Sequence, residues 1–292
     1  MADHPSISRL EESASLGVLK EQRDKRLAQF PWWFLAIILI AVWAAFIIYS
    51  RENYREAFSR IIIGLGVTIV TSLVAYAIAL FLGLLAGLGR ISRNVVLNNI
   101  AALYVELIRG IPMLVLIFFI ALVGVPMVID AMNSLGAWLN SIGLMFLGGI
   151  LTNLTNQAIA MNVRAIIALS VTYGAFLAEI FRAGIQSIGR GQMEAARSLG
   201  MGYGQAMRYI ILPQAIRNVL PALGNDFVAM VKDSSLVSVL AVRDITQVAR
   251  LHAGSTFRFR EAYITLAVLY LTMTVALSMG VQFIERRLRQ DE

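Results

Sequence analysis

Charge is missing from long stretches of this chain and gathered between them. Residues 30–49, 61–89, 110–129 and 262–284 contain no Asp, Glu, Lys or Arg, and about 20 apolar residues are enough for a helix to cross the hydrocarbon of a bilayer. These four stretches predict four membrane spans. Two more are expected at 165–181, which ends in the pair Glu179/Arg182, and at 219–240, which carries Lys232-Asp233-Ser234-Ser235. Crossing lipid requires every backbone hydrogen bond to close inside the segment. The expected fold is therefore an all-α membrane protein with six transmembrane helices.

Composition agrees, since the 292 residues are 58% hydrophobic and 15% charged, where soluble domains carry about 25% charge. The net charge of +7 would suit a nucleic-acid binder, but its distribution does not. With six spans and both termini in the cytoplasm, sixteen of the 25 lysines and arginines fall inside, eight outside and Lys232 within a span, as the positive-inside rule expects. There is no cysteine, which excludes disulfides and thiolate metal sites. The stretch 1–29 is too charged for a signal peptide and reads as a cytoplasmic tail, so the span at 30–49 is expected to stay as an anchor.

The region 130–163 resists the pattern. From 131 to 163 it is uncharged yet rich in Asn, Ser, Thr and Gly. A further crossing there would carry Arg182, Arg190, Arg197, Arg208 and Arg217 to the outer side and erase the charge asymmetry, so an outer-surface or re-entrant helical insert is expected. In 61–89, Gly83 and Gly87 stand one helical turn apart, a spacing that lets helix backbones approach; packing within the chain is the expected use.

The stretch 192–218, "QMEAARSLGMGYGQAMRYIILPQAIRN", is polar and broken by glycines although oily segments flank it. Residues 192–199 are mostly helix formers, Gly200 stops that helix, and Pro213 with Pro221 is expected to fence off a second short helix at 203–211. Small Ala195 and Ala196 leave room for another surface, and Met193, Leu199, Met201 and Tyr203 offer apolar contacts. The stretch predicts a cytoplasmic docking element. There is no phosphate-binding loop, nucleophile elbow, dinucleotide fingerprint or convincing metal-ligand set in the sequence. An uphill transporter of this kind must borrow its energy, from a nucleotide-hydrolysing partner or from an ion gradient.

The order Glu194-Ala195-Ala196, Gly200, Ile210, Leu212-Pro213 resembles the "EAA" loop of integral permease subunits of ATP-binding-cassette importers. "YVELIRGIPMLVLIFF" (104–119), "YGAFLAEIFRAGIQSI" (173–188), "NDFVAMVKDSSLVSVL" (225–240) and "ERRLR" (285–289) are similar to the polar amino-acid uptake branch, the histidine, arginine, glutamine and glutamate permeases. The resemblance covers about 61–289, the permease domain. It implies a five-helix core to which 30–49 adds a span, with 190–218 as the cytoplasmic coupling loop and 290–292 as the C-terminal end. Glu194, Ala195, Ala196, Gly200 and Met201 would be mechanical contacts with an ATPase subunit, and the chain itself would be no enzyme. The implied partners are two copies of that cytoplasmic ATP-binding subunit, a second permease subunit, identical or homologous, an extracytoplasmic substrate-binding protein and the bilayer of a bacterial inner membrane, with no nucleic acid. The chain would bind no cofactor or metal, ATP being used by the partner.

Charges at membrane depth are costly and mark function or pairing. Glu106/Arg109 and Glu179/Arg182 share the spacing E-x-x-R, one helix face each, and Lys232 and Asp233 form either an internal pair or a substrate contact. Tyr173 and Gly174 fall near mid-membrane by rise per residue. Tyr173, Gly174, Glu179, Asp233 and Ser234 are the candidate lining of an amino-acid pathway. The rival readings are an ion-driven secondary transporter or channel, and an ATP-driven importer of an opine or other amino-acid derivative.

Overall fold

A computed structural model describes residues 32–152 and 154–289; the tail 1–29, the first two residues of the predicted N-terminal span, Asn153 and the end 290–292 lie outside them. The chain falls into two compact units, Met1–Ser50 and Arg51–Glu292. In the first, α1 (Trp32–Ser50) is apolar on every side, with Leu39, Trp43, Phe46 and Tyr49 all exposed. A helix hydrophobic all round belongs in lipid or a core.

The second unit is helical throughout its described residues. It opens with α2 (Glu52–Ile61), which passes through a tight turn at Ile62–Gly64 into α3 (Leu65–Arg90). Then come α4 (Val95–Gly110), capped by the Asn94 carboxamide, which accepts from the N–H groups of Val96 and Leu97, and α5 (Met113–Phe119), which widens through a π-turn at Ile120–Gly124 into α6 (Val125–Ser141). After α7 (Met145–Thr152), the long α8 (Met161–Ser187) returns through the bundle. Next follow α9 (Arg190–Ser198), α10 (Tyr203–Ala206) and α11 (Leu212–Asp233), with a π-turn at Met207–Ile211 and a tightly wound extension at Ser234–Leu240. The chain closes with α12 (Ile245–Thr256) and α13 (Phe259–Arg289).

Among the described residues, four continuous helices are long and apolar enough to cross a membrane: Glu52–Arg90, Met113–Ser141, Met161–Ser187 and Phe259–Arg287. The expected span 219–240 differs, since its α-helix ends at Asp233 and the remainder is wound more tightly. At 29 residues, Met113–Ser141 is about 43 Å long, so its last turns prolong the third predicted span into the region 130–163. There α7 folds back on α6: a Cβ on Gly136 would meet the Cβ of Leu151 at 2.8 Å, and Asn133 donates to the Leu154 carbonyl at 2.9 Å.

Both π-turns precede a proline by two positions, Pro126 and Pro213, and the reason is steric and electronic. A proline ring clashes with the carbonyl four residues back and offers no N–H; the wider turn moves that carbonyl aside. Pro213 and Pro221 therefore do not fence off 203–211 as expected: the helix runs unbroken from Tyr203 to Asp233, with Pro213 in the first turn of α11 and Pro221 inside it. The same arrangement orphans a carbonyl. Val125 donates to Ile120, and Pro126 has nothing to donate to Ala121. Arg164 is buried, and its Nη1 donates to the Ala121 carbonyl at 3.2 Å while Nε reaches the Ile159 carbonyl at 3.1 Å and Nη2 the carbonyl of Asn156.

The centre of the unit is the crossing of α3 and α8. A Cβ on Gly83 would meet the Cβ of Leu177 at 2.6 Å, and one on Gly87 the Ala178 carbonyl at 2.9 Å, so these glycines serve contact within the chain. Around them Ala75, Ala79, Leu169, Tyr173, Leu177 and Phe181 form the main core. A second core joins α2, α12 and α13 through Ala57, Ile61, Ile245, Ala249 and Ala262. Asp244 caps α12, accepting from the Gln247 N–H at 2.8 Å, and burial pushes its carboxyl up against the pull of such backbone bonds.

Gly83→Val is expected to lower the thermal stability of the detergent-solubilised protein by about 1–3 kcal/mol, as overpacking does. Gly66→Ala, whose Cβ would meet nothing within 4 Å, should leave the melting temperature unchanged. Arg164→Leu strands the buried Ala121 carbonyl and should cost about 1–3 kcal/mol in the same measurement.

Candidate functional site

Two groups of residues carry the candidate chemistry, one on the loop 190–218 and one in the bundle. On the loop, α9 ends in a two-bond C-cap. Met201 N–H bonds the Ala196 carbonyl at 3.2 Å and Gly200 N–H the Arg197 carbonyl at 3.0 Å, with Gly200 at φ 83°. That left-handed position favours glycine. The next helix is entered through a side-chain cap, Gln205 Oε1 accepting from Gly202 N–H at 2.9 Å.

One face of this pair of helices is anchored. Met193, Met207 and Ile211 pack with Ile185, Leu88 and Ile91 from the ends of α8 and α3, and the Arg93 guanidinium lies 5.7 Å from the centre of the Tyr203 ring. A cavity of about 400 Å³, lined by Arg90, Asn98, Gln186 and Met193 among others, separates the loop from the bundle. The other face is bare: Glu194, Ala195 and Gly200 are exposed, and Leu199 is 84% exposed. Met201 is half-buried. Ala196 faces inward, buried in its own chain, so of the two small residues expected to make room for another surface only Ala195 is placed to do so.

Within the bundle, Tyr173 and Asp233 are brought together, the phenol donating to the Asp233 carboxylate at 2.7 Å. Lys232 is exposed and makes no ion pair among the described residues, so the sequence-level alternative of a Lys232–Asp233 lock gives way to a tyrosine contact. Gly174 turns elsewhere. A Cβ there would meet the Tyr104 hydroxyl at 2.7 Å and the Cβ of Leu82 at 3.0 Å, and Tyr104 itself donates to the Val171 carbonyl at 2.6 Å. The Tyr104 hydroxyl therefore lies against the Gly174 backbone. Ser234 is buried and donates to the Val231 carbonyl at 2.7 Å.

Glu179 sits in a charge network that joins three helices. It lies 2.6 Å from Arg182 on its own helix and 3.1 Å from Arg90 of α3. Arg90 also reaches Glu106 of α4 at 3.4 Å. The E-x-x-R spacing therefore forms a pair at Glu179/Arg182 but not at Glu106/Arg109, whose arginine lies 5.9 Å from the Phe176 ring centre instead.

Two residues that the sequence reading passed over complete the bundle group. Tyr76 donates to the Leu223 carbonyl at 2.5 Å and packs its ring 5.0 Å from Phe227. Asp226 stands seven residues before Asp233, two turns along the same face of α11; both carboxylates lie within electrostatic reach of Tyr173, and Asp226 Oδ2 is buried with no hydrogen-bond partner. The spacing of seven was the signal available. Beside Tyr76 and Phe227 an apolar cavity of about 320 Å³ opens between α3, α11 and α13. Among the described residues no cluster of three His, Asp or Glu could hold a metal ion.

The helical fold and the sequence are those of a known family. Residues 79–290 match the family described as the inner membrane component of binding-protein-dependent transport systems. The probable glutamine ABC transporter permease protein GlnM of Bacillus subtilis is 40% identical over 235 residues, 80% of this chain and 96% of that protein. The glutamine transport system permease protein GlnP of Escherichia coli K12 is 32% identical over 233 residues, 80% and 94% of the two chains. A crystal structure of an amino acid ABC transporter with histidines superposes with a TM-score of 0.64 at 36% identity, over 82% of this chain and 98% of the other. The inward-facing MetNI methionine ABC transporter, at 19% identity and a TM-score of 0.53, over 79% of this chain and 94% of its own, shares the fold. The chain belongs to the inner-membrane components of binding-protein-dependent transport systems, permease subunits whose ATP is hydrolysed by a separate subunit.

Proposed function

We propose that this chain is the permease half of an ATP-driven importer that takes up a polar amino acid by alternating access. Family membership sets aside the ion-driven reading, and the names of the relatives at 40% and 32% identity, both glutamine permeases, favour an amino acid over a derivative. The observation that carries the mechanism is the exposed face of α9 and its glycine cap. Glu194, Ala195, Leu199 and Gly200 form a rigid ledge which an ATPase subunit grips, while Ala196 and Met201 set the ledge against the bundle. ATP biases the bundle only because the gripped loop favours one of two states. Six spans with both termini cytoplasmic, a second permease completing the route, two ATPase copies and an extracytoplasmic binding protein make up the assembly.

In this reading Tyr173 and Asp233 form a closed polar contact at the pathway, with Asp226 and Tyr76 beside it, Gly174 and Ser234 shaping the wall, and Glu179 at its inner end. The unpartnered oxygen of Asp226 gives an ammonium group somewhere to bind. A buried carboxylate oxygen left unpartnered would be costly without such a use.

Glu194→Lys and Gly200→Pro are expected to abolish co-purification with the ATPase subunit and to stop uptake, while the protein stays membrane-inserted; retained ATPase in the pull-down would refute the ledge. Asp233→Asn and Asp226→Asn should each reduce uptake in proteoliposomes by tenfold or more, taking a lost charged contact as about 1.4 kcal/mol or more, with ATPase binding intact. Glu179→Gln should lower uptake as well; unchanged uptake and unchanged substrate preference would remove Glu179 from the pathway.

A further inference from the structure

Two cavities follow one another along α3 and α4. The first is the space of about 400 Å³ beneath the loop, lined by Arg90, Ser92 and Asn98 at the helix ends, by Gln186 of α8, and by Met193 and Tyr203 of the loop. The second, about 390 Å³, is walled by Leu82, Leu85 and Gly89 of α3 and by Leu97, Ile100 and Tyr104 of α4. Successive residues divide them, Gly89 from Arg90 on one helix and Leu97 from Asn98 on the other. The helices touch between these walls, where a Cβ on Gly89 would meet that of Ala101 at 2.8 Å. Since seven residues of helix, as in 82–89 or 97–104, cover about 10 Å, the polar space sits at the mouth of an apolar groove that runs about two turns into the bilayer. Leu85, Leu97 and Ile100 are exposed along it.

The polar space is short of acceptors. Among the described residues no Asp or Glu lines it. Arg90 Nη2 serves Glu106 and Glu179, and its Nε is buried with no hydrogen-bond partner. Gln186 gives its carbonyl oxygen to Arg182 at 3.0 Å, which leaves its amide N–H groups without an acceptor among the described residues. Ser92 Oγ accepts from the Asn94 N–H at 3.1 Å, so its own proton is left to donate. Arg93, exposed beside the Tyr203 ring, has no ion-pair partner among the described residues. Asn98 spends an N–H on the Arg90 carbonyl at 2.6 Å and keeps an oxygen to accept. Several donors and a free guanidinium converging on one space suit an anion.

We propose that the two cavities together bind one anionic phospholipid of the phosphatidylglycerol class. Its phosphodiester is held by Arg90, Ser92, Arg93 and Gln186, its glycerol hydroxyl is met by Asn98, and one acyl chain lies in the groove. Basic pockets between transmembrane helices on the cytoplasmic side are suited to such headgroups, and a soluble anion has no use for the groove. The headgroup touches the bundle through Arg90 and Gln186 and the loop through Met193 and Tyr203, so it fills the gap across which the loop must push. This bracing role, and the inner leaflet as the source of the lipid, rest on the coupling function proposed above. With the space filled, displacement of the loop passes to the ends of α3 and α8; with the space empty, part of it is lost as slack.

The test purifies the transporter in detergent with its ATPase subunit and titrates it with phosphatidylglycerol, with phosphatidylcholine of the same acyl chains, or with glycerol phosphate, counting bound ligand by native mass spectrometry. Phosphatidylglycerol should be retained once per permease chain and bind at least about tenfold more tightly than phosphatidylcholine. Arg93→Glu and Gln186→Glu bring carboxylates to the polar space and should each weaken retention about tenfold or more. Leu97→Trp fills the groove at an exposed position and should weaken retention severalfold without changing any charge. In proteoliposomes supplied with the binding protein, uptake per ATP hydrolysed should rise when phosphatidylglycerol is added to phosphatidylcholine, and the three variants should lose that rise while keeping the wild-type melting temperature. Equal retention of the two phospholipids, wild-type retention in all three variants, or uptake per ATP indifferent to phosphatidylglycerol would overturn the proposal. Glycerol phosphate competing as well as the whole lipid would also overturn it, by assigning the space to a soluble anion. Selective retention of phosphatidylglycerol with no ATP-driven uptake in any lipid would support the site and bring down instead the functional reading.

Discussion

The constraint that orders the second unit is the contact of α3 with α8, where the two helices approach because Gly83 and Gly87 have no side chain to keep them apart. In lipid there is no hydrophobic drive to press helices together, so association depends on van der Waals contact and on buried hydrogen bonds. Ser170 adds such a bond across the crossing to the Ala75 carbonyl at 3.2 Å, and Thr71 another to the Asn162 carboxamide at 2.9 Å. The polar interior of the second unit is hung on this pair. The α8 helix also carries Tyr173 towards Asp233 and Glu179 towards Arg90, so the polar group inside the bundle and the charge network at its end are positioned by the same packed surface.

Much of this was legible in order along the chain. Uncharged runs of span length located the long helices, because the bilayer admits few alternatives, and a glycine after a helix-forming stretch located the C-cap at Gly200. Prolines misled, since Pro213 and Pro221 read locally as breaks. What the chain does is widen by one residue before Pro213 and continue, a solution that depends on the carbonyl geometry of the preceding turn and not on residue type alone.

The bundle interior was legible only in part. Tyr173 and Asp233 were named separately and are joined by a hydrogen bond between helices sixty residues apart, a distance no local pattern reports. Gly174 was named by its depth in the membrane alone, and what lies against it depends on Tyr104, which arrives from another helix. Asp226 was overlooked beside Asn225, although its seven-residue offset from Asp233 put both on one stripe. The burial of Arg164 had no signal in the sequence, since only the pairing of a π-turn with Pro126 creates the stranded carbonyl that its guanidinium meets.

The proline within α11 has a mechanical corollary. Pro221 deprives the Arg217 carbonyl of its helical donor, and twelve residues on, after Asp233, the winding tightens. Stiffness is therefore uneven: α3 and α8 make a chassis that resists shear, while the rod linking the loop at one end to the two aspartates has a compliant joint above and a change of pitch below. A load placed on the loop would be absorbed least by the chassis and most by that rod, tilting the carboxylates while the glycine-packed pair stayed in register.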